Sequence, residues 1–171
     1  MARHILLALL LSPLLALAAD DPTEHINAIE PPRSGTPITL KGTETIGTKA
    51  KFHPPVDITI EAKTDSTDLR IGYAADQVIF NWRDAKHQLR VDGGPANGKH
   101  KMGAGLVPTN KYVIIRWVVT PKKQSIYVDG QLRFEHEGDY SSINNPVTIF
   151  CDQSKVSVKS IKVKKLAPVA E

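Results

Sequence analysis

From residue 38 onward the chain alternates. Val56, Ile58, Ile60 and Ala62 are interleaved with Asp57, Thr59, Glu61 and Lys63, and strand side chains point to opposite faces in turn, so this stretch has one apolar and one polar face. The same period of two fits Leu69, Ile71 and Tyr73, then Val78, Phe80 and Trp82, then Val113, Ile115, Trp117 and Val119. The pattern predicts strands at 37–41, 43–47, 56–63, 68–74, 77–82, 87–91, 112–120, 124–129, 131–136, 146–151 and 155–166. In the last of these, Val156 and Val158 fall out of phase with Ile161 and Val163. A bulge near Lys159-Ser160 would bring both pairs to one face. Many short strands separated by turn signals such as DGGPANG and INNP predict an all-β fold, two antiparallel sheets packed as a sandwich.

Helical spacing of apolar residues is absent from this region. The first nineteen residues, MARHILLALLLSPLLALAA, differ: a basic start is followed by an apolar run and small residues. That is the order of a secretory signal peptide, too short to span a membrane stably. Its removal leaves 152 of the 171 residues, with 21 Lys+Arg against 18 Asp+Glu. So mild a positive balance does not point to nucleic acid. An extracellular or periplasmic chain could carry disulfides, but Cys151 is the only cysteine, so stability must come from packing. Residues 20–35, rich in proline, are expected as an arm or linker, 36–166 as the domain and 167–171 as a tail. The glycine-rich stretch 91–110 is the longest predicted loop.

The string IIRWVVTPKKQSIYVDGQLRFEHEGDY (114–140) joins a Trp-bearing strand, a short turn, a strand ending in Val-Asp-Gly and a returning strand. It resembles the concanavalin A-like lectin/glucanase superfamily, including laminin G-like domains. The downstream VTIF and VSVKSIKVKKL look like the closing strands of such domains in small secreted bacterial proteins. The resemblance implies a jelly roll over residues 36–166, a superfold that carries lectins, glycosidases and adhesion modules alike.

Several residues carry chemistry to weigh. Asp129-Gly130 between alternating strands predicts a type I′ hairpin turn. Beyond it, alternation puts Leu132, Phe134 and His136 on one face and Arg133, Glu135 and Glu137 on the other. Two carboxyls so placed would be within the separation that glycosidic cleavage requires, which makes Glu135 and Glu137 the alternative catalytic pair. The glucanases of the resembled superfamily carry Glu-x-Asp-x-x-Glu; aligned at Glu137, this chain reads Glu137-Gly-Asp139-Tyr-Ser-Ser142. Ser142 cannot protonate a leaving group as a carboxylic acid does. The competing expectation is a solvated hairpin edge, with Arg133 balancing the acids.

The histidines match no zinc pattern, and no metal site is predicted. The resembled lectins often use calcium; Asp92, Asn97, Asp139, Asn144 and Asn145 are oxygen donors of the right kind, but no loop follows a calcium template, so they are expected as turn formers. For sugar binding, an aromatic ring flanked by amides and charged groups is the required kit. Tyr73, Asn81, Trp82 and Arg83 come nearest to it, with Asp92 and Asn97 from the glycine-rich loop. Lys155, Lys159, Lys162, Lys164 and Lys165 in the last strand are expected to protect a sheet edge, or else to meet an anionic glycan. The leading expectation is a secreted, non-catalytic module binding carbohydrate or another extracellular ligand; the alternatives are a glycoside hydrolase-like enzyme and a structural or protein-interaction module.

Overall fold

The computed structural model describes residues 22–167. The predicted signal peptide and all but the first residue of the predicted tail lie outside the described residues. Two antiparallel seven-stranded sheets pack face to face. In chain order the strands are β1 (Thr23–Glu24), β2 (Ile29–Glu30), β3 (Ile38–Gly42), β4 (Thr45–Thr48), β5 (Val56–Thr64), β6 (Leu69–Gly72), β7 (Gln77–Phe80), β8 (Gln88–Asp92), β9 (Lys101–Met102), β10 (Val113–Thr120), β11 (Lys123–Val128), β12 (Gln131–Glu137), β13 (Thr148–Phe150) and β14 (Ser154–Lys165). The first sheet runs β1-β14-β5-β10-β11-β12, with β3 also paired to β14, and the second runs β2-β4-β13-β6-β7-β8-β9. This is the jelly-roll sandwich that alternation and resemblance led one to expect.

The apolar phase of each long strand supplies the core. Ile58, Ile60, Ile71, Phe80, Val91, Trp117, Ile126, Ile149 and Ile161 are all buried between the sheets. Trp117 donates its indole N–H to Gln124 Oε1 at 2.9 Å, so the one polar atom of the largest core ring has a partner. The register of β14 against β5 shifts between Val158 and Ser160. Val156, Val158, Ile161 and Val163 are consequently all buried, which is the outcome the change of phase demands.

Four local expectations come out differently. The stretch expected as an arm is woven into the sandwich: Thr23 and Glu24 pair with Val163 and Lys162, Ile29 and Glu30 pair with Thr48 and Gly47, and Ile26 and Ile29 are buried. Strands of two residues are too short to show alternation. The lysine-bearing β14 is not an edge strand, because β5 lies on one side of it and β3 and β1 on the other; Lys155, Lys159, Lys162 and Lys164 lie outside the buried phase of an interior strand, while Lys165 ends the strand across from the buried Val56. In β12, a register shift against β11 lets Ile126 face Phe134 but Tyr127 face Leu132. The extra residue turns Leu132 outward, 49 % exposed, while Phe134 stays buried. Finally, Arg133 does not balance the acids: its Nη1 donates to the Leu106 carbonyl at 3.4 Å, and it is Lys123 that pairs with Glu135 at 2.8 Å.

Candidate functional site

The richest polar constellation lies on the outer face of the second sheet, built by three consecutive strands. Arg70 on β6 stands across from Ile79 on β7, which stands across from Arg90 on β8. Ile79 is 1 % exposed yet lies outside the core between the sheets. It is covered from the solvent side, a role that the aliphatic stems of flanking arginines perform well.

The guanidiniums end in a connected network. Arg70 Nη2 donates to Asp68 Oδ1 at 3.1 Å and to Asp152 Oδ2 at 2.9 Å, and its Nη1 donates to Gln77 Oε1 at 3.1 Å. Gln77 in turn donates to Asp92 Oδ2 at 2.8 Å, and Arg90 Nε donates to the same oxygen at 2.7 Å. Arg83 Nε donates to Asp68 Oδ2 at 3.1 Å, and its Nη2 pairs with Asp152. The Arg90 guanidinium lies 4.4 Å from the centre of the partly exposed Trp82 ring, within cation–π range. Asp68 has no exposed side-chain surface, whereas Arg70 and Arg83 retain 16 % and 32 %. A buried carboxylate thus anchors two largely buried arginine side chains, and neither is free to wander. For Asp92, burial pushes the carboxyl pKa up, but the hydrogen bonds from Arg90 and Gln77 and the charges of Arg90 and His100 outweigh it, and the group is held below the ordinary carboxylate value.

Beside this ridge lies a row of small residues, of which Gly47 and Gly72 are buried. Thr148 on β13 has Gly47 on one side and Gly72 on the other. A Cβ on Gly72 would stand 2.5 Å from Thr148 Oγ1 and 2.9 Å from the Asp76 carbonyl, so only glycine fits. Next to it opens a hollow of about 180 Å³ lined by Gly72, Tyr73, Ala75, Asp76, Pro146 and Thr148, among others. Asp76 is exposed, and its carboxylate makes no hydrogen bond among the described residues.

Of the residues expected to bind ligand, Trp82, Arg83 and Asp92 are brought together here. Asn97 is exposed on the adjoining turn, where its Oδ1 accepts the Gly93 N–H at 2.8 Å. Tyr73 borders the hollow, but its ring and the Asn81 side chain are turned inward. The Tyr73 ring is 2 % exposed, packs edge-on against Trp117 and donates its hydroxyl to the Phe52 carbonyl at 3.2 Å. Asn81 is fully buried; its amide donates to Val107 O and accepts from Val107 N, both at 2.9 Å, which ties the glycine-rich loop to the end of β7. Arg70, Gln77, Arg90, Asp68 and Asp152 were not singled out from the sequence. The available signal was that Arg70, Gln77, Arg90 and Asp92 occupy the polar phase of three successive strands.

Glu135 and Glu137 lie on the first sheet, away from this network. Lys123, and after it Ser125, hydrogen-bond Glu135 and hold its pKa below the ordinary value. His136 instead meets the Tyr140 hydroxyl at 2.8 Å. The oxygen donors weighed for calcium are spread apart: Asp139 accepts from Ser141 N and Oγ, and Asn145 donates to Tyr73 O. Among the described residues, no three His, Cys, Asp or Glu side chains converge on a point that could hold a metal ion.

No family model and no curated protein matches this chain. Its shape does match solved structures. A Parabacteroides distasonis chain assigned to the glycosyl hydrolases superposes with a TM-score of 0.61 at 10 % identity, over 86 % of this chain and 100 % of that one. The β-glucanase of Bacillus licheniformis gives 0.58 at 10 % identity, over 75 % and 78 %. The carbohydrate-binding module CBM66 of Bacillus subtilis gives 0.53 at 13 % identity, over 85 % and 91 %. At such identities the likeness is one of fold alone, the two-sheet jelly-roll sandwich of the concanavalin A-like type.

Proposed function

We propose that this protein binds carbohydrate without cleaving it, on the outer face of the second sheet. The observation that carries the proposal is the partly exposed Trp82 ring set against Arg90, with Asp92, Gln77, Arg70 and Arg83 fixed around it. A sugar lays its apolar C–H face on an aromatic ring and exchanges hydroxyl hydrogen bonds with charged and amide groups nearby. Groups already held by a buried carboxylate lose little freedom on binding, which favours affinity. The carbohydrate-binding module and the glucanase that share this fold are consistent with such a role. Against catalysis by the alternative pair, both Glu135 oxygens are already engaged, Oε1 by the Lys123 ammonium and Oε2 by the Ser125 hydroxyl, so neither is poised to act on a glycosidic bond. The apolar leader would place the protein outside the cytoplasm, where such ligands are met.

Retention on a panel of immobilised polysaccharides tests this. The wild type should be retained on at least one, and Trp82→Ala should weaken retention roughly tenfold or more while its melting temperature stays near that of the wild type. Failure of the wild type to bind any member overturns the proposal. Sugar release that disappears in Glu135→Gln would overturn its non-catalytic part.

A further inference from the structure

We infer that the cleft where β1 and β14 of the first sheet meet the β4–β5 connection is a separate binding site, one for a small organic carboxylate with a compact apolar body. It shares no residue with the network around Trp82 and stands independently of the carbohydrate reading. The starting point is the inward phase of β14. Val156, Val158, Ile161 and Val163 are buried, and the next residue in that phase is Lys165, which is exposed. Across from Val163 stands Thr23 on β1. With His25, Lys51 and Phe52, these last residues line a cleft of about 440 Å³. That volume falls within the roughly 300–1,000 Å³ in which small ligands are held.

The lining divides by chemistry. Phe52 and Val163, both buried, supply apolar surface, and the His25 ring meets Phe52 edge-on with 5.1 Å between centres. Burial lowers the His25 pKa from its ordinary 6.5, so at neutral pH the ring is an uncharged wall. Charge comes from Lys51 and Lys165, which are exposed and make no ion pair or hydrogen bond among the described residues. No described carboxylate lines the cleft. Glu24 alternates away from Thr23, and its Oε1 accepts the N–H groups of His25, Ile26 and Ile161, each at 3.0 Å. This sets the cleft apart from the rest of the basic surface, where Arg70, Arg83, Arg90, Arg116, Lys123 and Lys159 each face an acid. A ligand carboxylate would meet the two unmatched ammoniums in a cleft that excludes part of the water, where the attraction exceeds that on open surface. Its apolar body would cover Phe52 and Val163. An inorganic anion would leave that surface bare, and a neutral apolar molecule would leave the charges unmet.

Titration of the protein with hexanoate and with benzoate, followed through its backbone amide NMR signals, tests this. Saturable shifts should centre on Thr23, Lys51, Phe52 and Lys165. Acetate, which lacks the apolar body, and the matched alcohols hexanol and benzyl alcohol, which lack the charge, should bind about tenfold more weakly or less. Added salt should weaken the carboxylates. Lys51→Gln and Lys165→Gln, both exposed changes, should each lower carboxylate affinity about threefold or more at an unaltered melting temperature, whereas Trp82→Ala should leave it unaltered. Absence of saturable shifts at these residues would overturn the inference, as would alcohols or acetate binding as tightly as hexanoate, or wild-type affinity in the variant carrying both lysine changes. Retention on polysaccharides, lost in Trp82→Ala and kept in the lysine variants, separates the fate of the carbohydrate reading from that of this cleft.

Discussion

At the residue scale, Asp68 does more for the candidate site than the side chains that border solvent. Its carboxylate is fully buried, its backbone adopts a positive φ of 52°, and both oxygens are taken by arginines. Removing one member of a buried ion pair leaves the others uncompensated. Asp68→Ala should therefore lower the unfolding free energy by about 2–3 kcal/mol; the figure stays below the range for fully buried pairs because Asp152 remains as a partner. Urea denaturation of the variant checks this. Glu135→Gln is the contrast, since its Lys123 pair is exposed, and its urea midpoint should lie close to that of the wild type.

At the element scale, the β11–β12 hairpin depends on its two turn residues. Asp129 and Gly130 have φ of 48° and 79°, the left-handed pair of a type I′ turn, and Asp129 Oδ1 also accepts the Ile114 N–H at 2.9 Å. A β-branched side chain at φ near 80° is strained, so Gly130→Val should cost on the order of 1–2 kcal/mol, whereas Gly130→Asn should be tolerated. Thermal unfolding of the two variants separates these outcomes. The same hairpin shows where alternation fails. Strict period two puts Leu132 with Phe134, but the register shift against β11 breaks the phase between them.

At the scale of the whole molecule, stability should decline on acidification in two stages. Burial depresses the pKa of His25 below its ordinary 6.5, against the opposing charge of Glu24. Below pH 6.5 the unfolded chain therefore binds a proton that the folded chain resists, and stability falls as pH drops toward the folded value. The carboxyls of Asp65 and Asp92 are also depressed, Asp65 chiefly by the Lys155 N–H. They stabilise the fold above their ordinary value of 3.8, and that contribution is lost as pH falls through the lower folded values. Urea midpoints measured from neutral pH downward should show a first, shallow decline that His25→Gln removes, then a steeper one that it does not.

Fold and site were not equally legible. The longer strands, the β14 bulge and the Asp129-Gly130 turn were readable because they rest on local rules, side-chain alternation and the φ each turn residue tolerates. Trp82, Arg83 and Asp92 stood out as chemical types, yet nothing local distinguished them from Tyr73 and Asn81, which pack inside. Tertiary structure alone decided that Asp68 and Asp152 meet the same two arginines, since they are 84 residues apart in the chain and adjacent only through the β6–β13 pairing. It also decided that β14 is interior, because strand order depends on which apolar faces close over one another and not on any single strand's pattern. The amino-acid sequence determined the elements and their inward faces through short-range geometry. Which outward side chains share a surface was decided by long-range pairing, whose partners no local period encodes.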